Sequence, residues 1–420
     1  MLKTSIENCI VAAATMMIAM TANAEKRYVG GDVSLLPKYE EAGAQYKTHD
    51  GQPISDVLTF CREEGMNAMR VRVFVNPEDY DGKDKDPNAC QTIESVTPLC
   101  KRIKDTGLDL ILDFMYSDTW ADPAKQWTPK AWQGLDDTQL CQAVYDYTKE
   151  SLQTLKEAGV TPDFIQTGNE ISYGMLWGSS TASEKDLKKA LMGSSANWER
   201  LGNLLKSAIK ACREVCPEAK IILHTERVAT VDVQKNFYDQ MKSLGVEYDV
   251  IGISYYPYFH GSLSVLEKAV DELEKDFAEK NVMVVETGYP YKWAVPGTTE
   301  KVDYPYTDEG QNQFAQDLVD MLEKHPNVDG LFWWWLEYNA YGTTLENWYN
   351  APLFDSLTGC ASSALKTLCS FADDGSGVIG IADRSHPKEV RWYDLNGHDV
   401  TESSAGRGIK VSTDGRKTIR

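Results

Sequence analysis

Two glutamates stand where short apolar runs give way to polar residues. Glu170 closes the run Asp163–Glu170, directly after Asn169, and Glu286 lies near the end of Val282–Tyr289. Two carboxyl groups facing one sugar–sugar bond can break it. One protonates the leaving oxygen, the other attacks the anomeric carbon, and in this chemistry they lie about 5–5.5 Å apart. Each glutamate alone reads equally well as a structural ion-pair partner. Together, each in a Gly-, Asn-, Thr- or Tyr-rich setting at a strand end, they read as a catalytic pair: Glu170 as acid/base and Glu286 as nucleophile.

The pair works only if the surroundings separate the two pKa values, so that the acid holds its proton while the nucleophile is ionised. Arg72 on the second run, and Tyr255 or Tyr256 on the sixth, are expected to stabilise an ionised Glu286, whose charge then keeps the proton on Glu170. Asn169 is expected to donate to the sugar 2-hydroxyl. Period-two alternation puts Arg70 and Arg72 on one strand face. Arg72, nearer the strand end, is chosen as the partner of Glu286; Arg70 reads equally as an ion pair within the fold.

The elements that must position these groups are eight short β-branched or aromatic runs: Tyr28–Leu35, Asn67–Val75, Leu108–Tyr116, Asp163–Glu170, Lys220–Glu226, Tyr248–Tyr256, Val282–Tyr289 and Val328–Leu336. Amphipathic stretches such as Asp136–Ala158, Asn197–Val215, Leu263–Glu279 and Gly310–Lys324 separate them. In the last, Phe314, Leu318, Met321 and Leu322 share a helical face. Strands alternating with helices predict a parallel α/β architecture, and eight is the closure number of the (β/α)8 TIM barrel. The competing fold, an open doubly wound sheet, calls for a Gly-rich phosphate turn after the first strand. Gly30-Gly31 does not supply it. A barrel also predicts polar residues at the C-terminal strand ends. They are present as Arg70-Val-Arg72, Asp113 to Asp118, Gly168-Asn-Glu170, His224-Thr-Glu226, Tyr255-Tyr256-Pro257, Glu286 to Tyr289 and Trp333-Trp-Trp335.

Trp120, Trp127, Trp132, Trp177, Trp293, Trp334 and Trp348 fall in or beside the loops of that face. Any single one reads as core; as a group they suit the apolar faces of sugar rings. Trp120, Trp177, Trp334 and Trp348, with Asp118 and His224, complete the candidate substrate contacts. Long loops after the third, fourth and eighth strands predict several subsites and cleavage within a chain.

Composition narrows the partners. The net charge of −20 and pI of about 4.8 argue against nucleic acid or an anionic membrane surface and suit a neutral polymer. Lys3, the apolar run Ile10–Met20 and Ala22-Asn23-Ala24 form a secretory signal pattern. Residues 1–24 are therefore expected to be removed and the rest exported, as a secreted, periplasmic or cell-surface protein. No later stretch is apolar enough to span a bilayer, and a monomer is expected. Besides Cys9 there are eight cysteines. Cys212/Cys216 and Cys360/Cys369 are close enough in sequence to pair, and free buried thiols are an equal reading. No spacing matches a zinc site. The barrel is expected over residues 25–372. Asp373-Asp-Gly-Ser-Gly377 then reads as a linker, and the remaining residues as a short β-rich tail.

These motifs together resemble glycoside hydrolase family 53, the endo-β-1,4-galactanases. The matching stretches run in order from Gly30-Gly-Asp-Val-Ser34 and Arg70-Val-Arg-Val73 through Leu112 to Asp118 and Trp120 to Gln126. They continue with Gly168-Asn-Glu-Ile171, Gly174-Met-Leu-Trp177, Gly252 to Tyr258, His260-Gly261, Val285 to Tyr291 and Asn350 to Asp355. The resemblance covers about residues 28 to 366. It implies Glu170 as proton donor, Glu286 as nucleophile, β-1,4-galactan as substrate and no required cofactor. A structural calcium is known in some relatives, but no acidic cluster in the later loops compels one here. The chain departs from the family at Met115, where histidine is usual, at His224-Thr225-Glu226, and at Trp335-Leu336 after Trp334. None of these removes a catalytic carboxylate. A mannanase or xylanase of the same clan, and a non-catalytic glycan-binding barrel, are the competing readings. Trp392 to Gly397 and the closing Gly-Ile-Lys410 and Asp-Gly-Arg-Lys417 resemble C-terminal tails of secreted Bacteroidetes proteins, which implies sorting rather than catalysis.

Overall fold

The computed structural model describes residues 26–372, apart from residues 192, 293, 296–297, 299–301 and 346–350, together with four short strands of the tail. Strands β1 (Tyr28–Asp32), β2 (Ala68–Val73), β3 (Asp109–Phe114), β4 (Phe164–Thr167), β5 (Lys220–Thr225), β6 (Val250–Tyr255), β7 (Asn281–Thr287) and β8 (Val328–Trp333) pair in parallel, each with the next, and β8 closes on β1. Helices lie between successive strands, as the alternation predicts. The helices form where the chain satisfies their free ends. Asp136 and Gln139 make a reciprocal capping box at the start of Asp137–Glu157, and Asp56 accepts from the Thr59 N–H at the start of Val57–Glu64.

The interior of the barrel is filled in two levels. At the lower level Ala68, Ile111, Phe164, Ile222, Val250, Met283, Val285 and Phe332 form an apolar plug. Burial of each larger side chain there contributes roughly 1.5–3 kcal/mol. Gly30 is required at the β1–β2 seam, because a Cβ on it would lie 1.7 Å from the Ala68 carbonyl oxygen. Above the plug the inward positions turn polar: Asp32, Arg70, Arg72, Asp113, Gln166, His224 and Ser254, all almost fully buried. A larger apolar core fills the space between strands and helices.

No disulfide joins Cys212 to Cys216 or Cys360 to Cys369 among the described residues. Residues 1–25, which carry the export pattern, and most of the tail lie outside the described residues. The tail strands Trp392–Tyr393, Asp399–Val400, Ile409–Ser412 and Lys417–Ile419 form a separate four-stranded sheet, antiparallel throughout. The chain divides into two compact units at Ser376/Gly377. Among the described residues no helix is long and apolar enough to cross a membrane.

Candidate active site

The C-terminal mouth of the barrel opens into a cavity of about 1110 Å³. Its lining includes Glu170, Glu286, Asn169, Trp120, Tyr256 and Trp334, so both glutamates face the same open space.

Glu286 reaches that space through a break in strand regularity. Ile253 of β6 pairs with Val284 of β7, but the next residue, Ser254, pairs with Glu286, which leaves Val285 as an extra residue in β7. The same segment is also one residue longer than its β8 partner between Val284 and Thr287. Met283 and Val285 belong to the apolar plug. Regular alternation would therefore point Glu286 outward, and the bulge returns it to the interior, as bulges re-aim side chains beside active sites.

Once inward, the Glu286 carboxyl meets Arg70, whose Nη2 lies 3.0 Å from Oε1, and Tyr256, whose hydroxyl donates to Oε2 at 3.1 Å. Burial, with the charge of Asp32, holds the carboxyl above its ordinary value, and Arg70 and Tyr256 oppose that rise. The arginine that performs this is not the expected one. Two strand residues rise about 6.6 Å, which an extended arginine side chain covers. Arg70 therefore climbs the barrel axis to contact Asp113 at 2.8 Å, the Asn169 Oδ1 at 2.9 Å and Glu286. Arg72, already at the strand end, turns aside to pair with Asp32 and lies over the rings of Trp120, Trp334 and Trp335 at 4.8, 5.0 and 5.5 Å.

Glu170 sits three residues past the end of β4. Gly168 at φ +100° and Glu170 itself at φ 48°, ψ 51° turn the chain there. For a residue with a side chain, this left-handed conformation costs roughly 1–2 kcal/mol. The Glu170 N–H donates to His224 Nδ1 at 3.3 Å, and its Oε1 accepts from the Ser254 hydroxyl at 2.7 Å. Two donors, the Glu170 N–H and Gln166 Nε2, converge on His224 Nδ1. Asn169 Oδ1 lies 3.0 Å from the same nitrogen, and Nε2 lies 2.8 Å from Ser254 Oγ. Burial holds His224 well below the usual histidine range, so this chain of bonds carries no positive charge. Burial first, then the charges of Glu286 and Glu226, push the Glu170 carboxyl well above its ordinary value.

Below the mouth, Arg70 and Arg72 face four buried carboxyls: Asp32, Asp113, Glu286 and Glu337. Two positive charges do not balance four negative ones. Burial accordingly pushes Asp113 up to about 7 against the pull of Arg70, and Glu337 up to about 8 with help from the charge of Asp32. Glu337 Oε1 also accepts from the Leu35 N–H at 2.7 Å, joining the β8 loop to the end of β1.

The structure brings Glu170, Glu286, Asn169, Tyr256, Trp120 and Trp334 together at the cavity and places other expected contacts elsewhere. Asn169 Nδ2 donates to the Ala121 carbonyl at 2.8 Å, which leaves its second N–H for a ligand. Asp118 is buried and accepts from the N–H groups of Asn76 and Lys130, so it braces two loops. Trp177 is buried, with its indole N–H donating to the carbonyls of Tyr173 and Gly174. His224 lies under Glu170 rather than against the cavity. Tyr255 points to the helix side of the sheet, and its hydroxyl donates to the Gly261 carbonyl. Trp293 and Trp348 lie outside the described residues. The sequence reading gave no role to Ser254, Gln166, Glu226, Glu337 or Phe259. Phe259 is 44% exposed and lines the cavity. Alternation along β5 and β6 carried the signal for Glu226 and Ser254, since His224 and Tyr256 occupy the same faces.

Among the described residues, one group offers clustered metal-ligand atoms: Asp271, Glu274 and His325, outside the cavity. His325 Nδ1 bonds Glu274 Oε2 at 2.9 Å, and its Nε2 is buried without a partner. A metal on Nδ1 would move the ring proton to that unpaired nitrogen, so the group fits a structural clamp better than a cation.

Two carboxyls in unlike surroundings, facing one open cavity at the mouth of a (β/α)8 barrel, are the arrangement of a glycoside hydrolase. The model of glycosyl hydrolase family 53 matches residues 28–368, and the chain belongs to this family. A Niallia circulans protein, described as an uncharacterized protein in the bgaB 5' region, is 35% identical over 343 residues, covering 78% of this chain and 89% of its own. The arabinogalactan endo-β-1,4-galactanase of Humicola insolens is 32% identical over 321 residues, covering 73% of this chain and 89% of its own. The solved Ignisphaera aggregans GH53 catalytic domain superposes with a TM-score of 0.71 at 32% identity, covering 82% of this chain and 95% of its own.

Proposed function

We propose that the protein is a retaining endo-hydrolase of β-1,4-galactan, such as the side chains of pectic type I arabinogalactan. The observation that carries this reading is the unequal treatment of two glutamates facing one cavity. Glu286, held by Arg70 and Tyr256, attacks the anomeric carbon as a carboxylate. Glu170, which accepts from a serine and faces other carboxyls, gives its proton to the departing glycosidic oxygen. The bond from the anomeric carbon to that oxygen breaks as the bond to Glu286 forms, giving a covalent glycosyl-enzyme. Glu170, now ionised, takes a proton from water, and the resulting hydroxide displaces Glu286 with net retention. Asn169 donates to the 2-hydroxyl. Trp120, Trp334 and Phe259 offer apolar faces to sugar rings. The size and open form of the cavity support binding of several rings and cleavage within the chain. The name of the Humicola insolens relative supports galactan over mannan or xylan.

The deciding experiment is hydrolysis of linear galactan, mannan and xylan, with NMR of the first-formed anomer. Internal cleavage of galactan with a β-anomer first is expected. Cleavage of mannan or xylan alone overturns the substrate, an α-anomer first overturns the roles of the two glutamates, and binding without turnover on any glycan favours the non-catalytic reading. We further infer export with loss of residues 1–24, a catalytic unit over 25–372, a tail concerned with sorting, and a monomer. The supports are the charged, apolar and small-residue pattern at the start and the linker composition at 373–377. N-terminal sequencing of the mature protein and size-exclusion chromatography check these.

A further inference from the structure

Glu226 stands at the cavity just beyond the end of β5, on the side of Glu170, and the mechanism above gives it no task. One oxygen, Oε1, accepts from the Ser172 hydroxyl. The other, Oε2, is buried with no donor. Ser172 is the middle residue of the short turn Ile171–Tyr173, which begins immediately after the left-handed Glu170. Arg227, the next residue in the chain, lies over the Tyr173 ring at 5.4 Å, and its Nη1 is 4.0 Å from Glu226 Oε1. Two consecutive residues of the β5 loop therefore grip two consecutive residues of the turn that carries Glu170.

Such a grip answers a specific need. A left-handed glutamate persists only where its surroundings over-determine it. The Glu170 backbone N–H has a long bond to His224, and its carboxyl is tied by one serine. The turn would relax without a second anchor, and relaxation would swing the carboxyl away from the glycosidic oxygen.

We propose that Glu226 is a positioning residue for Glu170: it pins the Ile171–Tyr173 turn through Ser172 and, as a further carboxyl of the cavity, governs the alkaline edge of activity. The proposal rests on the assignment of Glu170 as acid/base. The groups acting on Glu170 are Glu286 from β7, Glu226 from β5, Asp122 from the β3 loop, Ser254 and Tyr256 on the β6 side, and the neutral His224 beneath it. Those acting on Glu226 are Ser172 and Arg227, which favour its ionised form against burial. Burial leaves Glu226 at about 7. As pH rises through neutrality it gains a negative charge beside Glu170, and that charge opposes loss of the Glu170 proton.

The test uses the full chain and separates the two parts. Glu226→Gln keeps an acceptor for Ser172 but never ionises. Ser172→Ala keeps the carboxyl but releases the turn. The Glu170 carboxyl is titrated by carbon-13 NMR, and kcat and KM are followed against pH on whichever β-glycan the wild type cleaves. In Glu226→Gln, the Glu170 midpoint and the alkaline limb of kcat/KM should both move to lower pH. In Ser172→Ala, kcat should fall about tenfold or more with little change in KM. An unmoved Glu170 midpoint in Glu226→Gln, or an unchanged kcat in Ser172→Ala, overturns the proposal. The NMR arm needs no substrate, so a wild type that ignores galactan sinks the substrate reading while this inference is still decided.

Discussion

The two catalytic candidates occupy opposite walls of one cavity, and the walls differ in kind. Glu286, on β7, faces the β1–β3 side, where two arginines of β2 share their charge with Asp32, Asp113 and Glu286. On the wall of β4, β5 and β6, the carboxyl of Glu170 meets Ser254 and further acids, with no cation among the chief influences on it. Side-chain type does not assign the roles, since both are glutamates. What assigns them is whether a guanidinium or another carboxyl faces the group, a difference of position within a shared barrel.

The largest break in that comparison comes from removing either carboxyl. Glu286→Gln should lower kcat by about 10⁴-fold or more on every substrate, while oligosaccharide binding persists in titration calorimetry. Glu170→Gln should lose about 10²–10⁴-fold on galactan but far less on an aryl galactoside whose leaving group needs no proton. Equal losses on both substrates would remove the distinction between the walls. Next in size is the arginine pair. Arg70→Met leaves Asp32, Asp113 and Glu286 facing a missing charge and should cost about 3–5 kcal/mol of stability in denaturant unfolding, together with most of the activity. Arg72→Met should spare more of the turnover, since Arg72 does not bond Glu286. If Arg72→Met cost as much activity as Arg70→Met, the assignment of Arg70 would fail.

Smaller still is Tyr256→Phe, which removes one hydrogen bond to a charged group worth about 1.5–3 kcal/mol. It should lower kcat about tenfold or more and move the acidic limb of the pH profile upward, because Glu286 loses a group that favours its ionised form. The smallest effect is on stability against pH. Asp113 and Glu226 at about 7 and Glu337 at about 8 all lie above their unfolded values. The folded chain therefore holds protons that the unfolded chain has released, and stability falls as pH rises through these values. His260, lowered by burial to about 4, acts in the opposite sense, adding stability as pH rises from about 4 to the unfolded histidine value near 6.5. Between pH 6.5 and 8 the acids act alone. The Tm should drop across that interval, and Glu337→Gln should flatten the slope.

Much of this was legible in the chain. Eight runs at regular intervals predicted the barrel, because strand and helix periods are local properties. Glu170 and Glu286 stood out because a barrel concentrates function at one end of its strands. The finer site was less legible, for physical reasons that differ by residue. Choosing between Tyr255 and Tyr256 needed only the parity of β6: Ser254 and Tyr256 face in, and Tyr255 faces out. Arg70 was misplaced because position along a strand was taken as the height of the charge, when the length of the side chain decides it. Trp177 has the same composition signal as Trp334, and only the indole hydrogen bonds show that it is packed into the structure. Asp118 and His224 sit at strand ends as expected but support the site instead of lining it.

The extra residue at Val285 has an evolutionary side. Deleting it would leave composition, charge and every catalytic side chain intact, yet rotate the nucleophile by half a strand period toward the surrounding helices. Length in β7 is therefore under tighter constraint than identity: the segment should accept exchanges among aliphatic residues while rejecting any single-codon gain or loss.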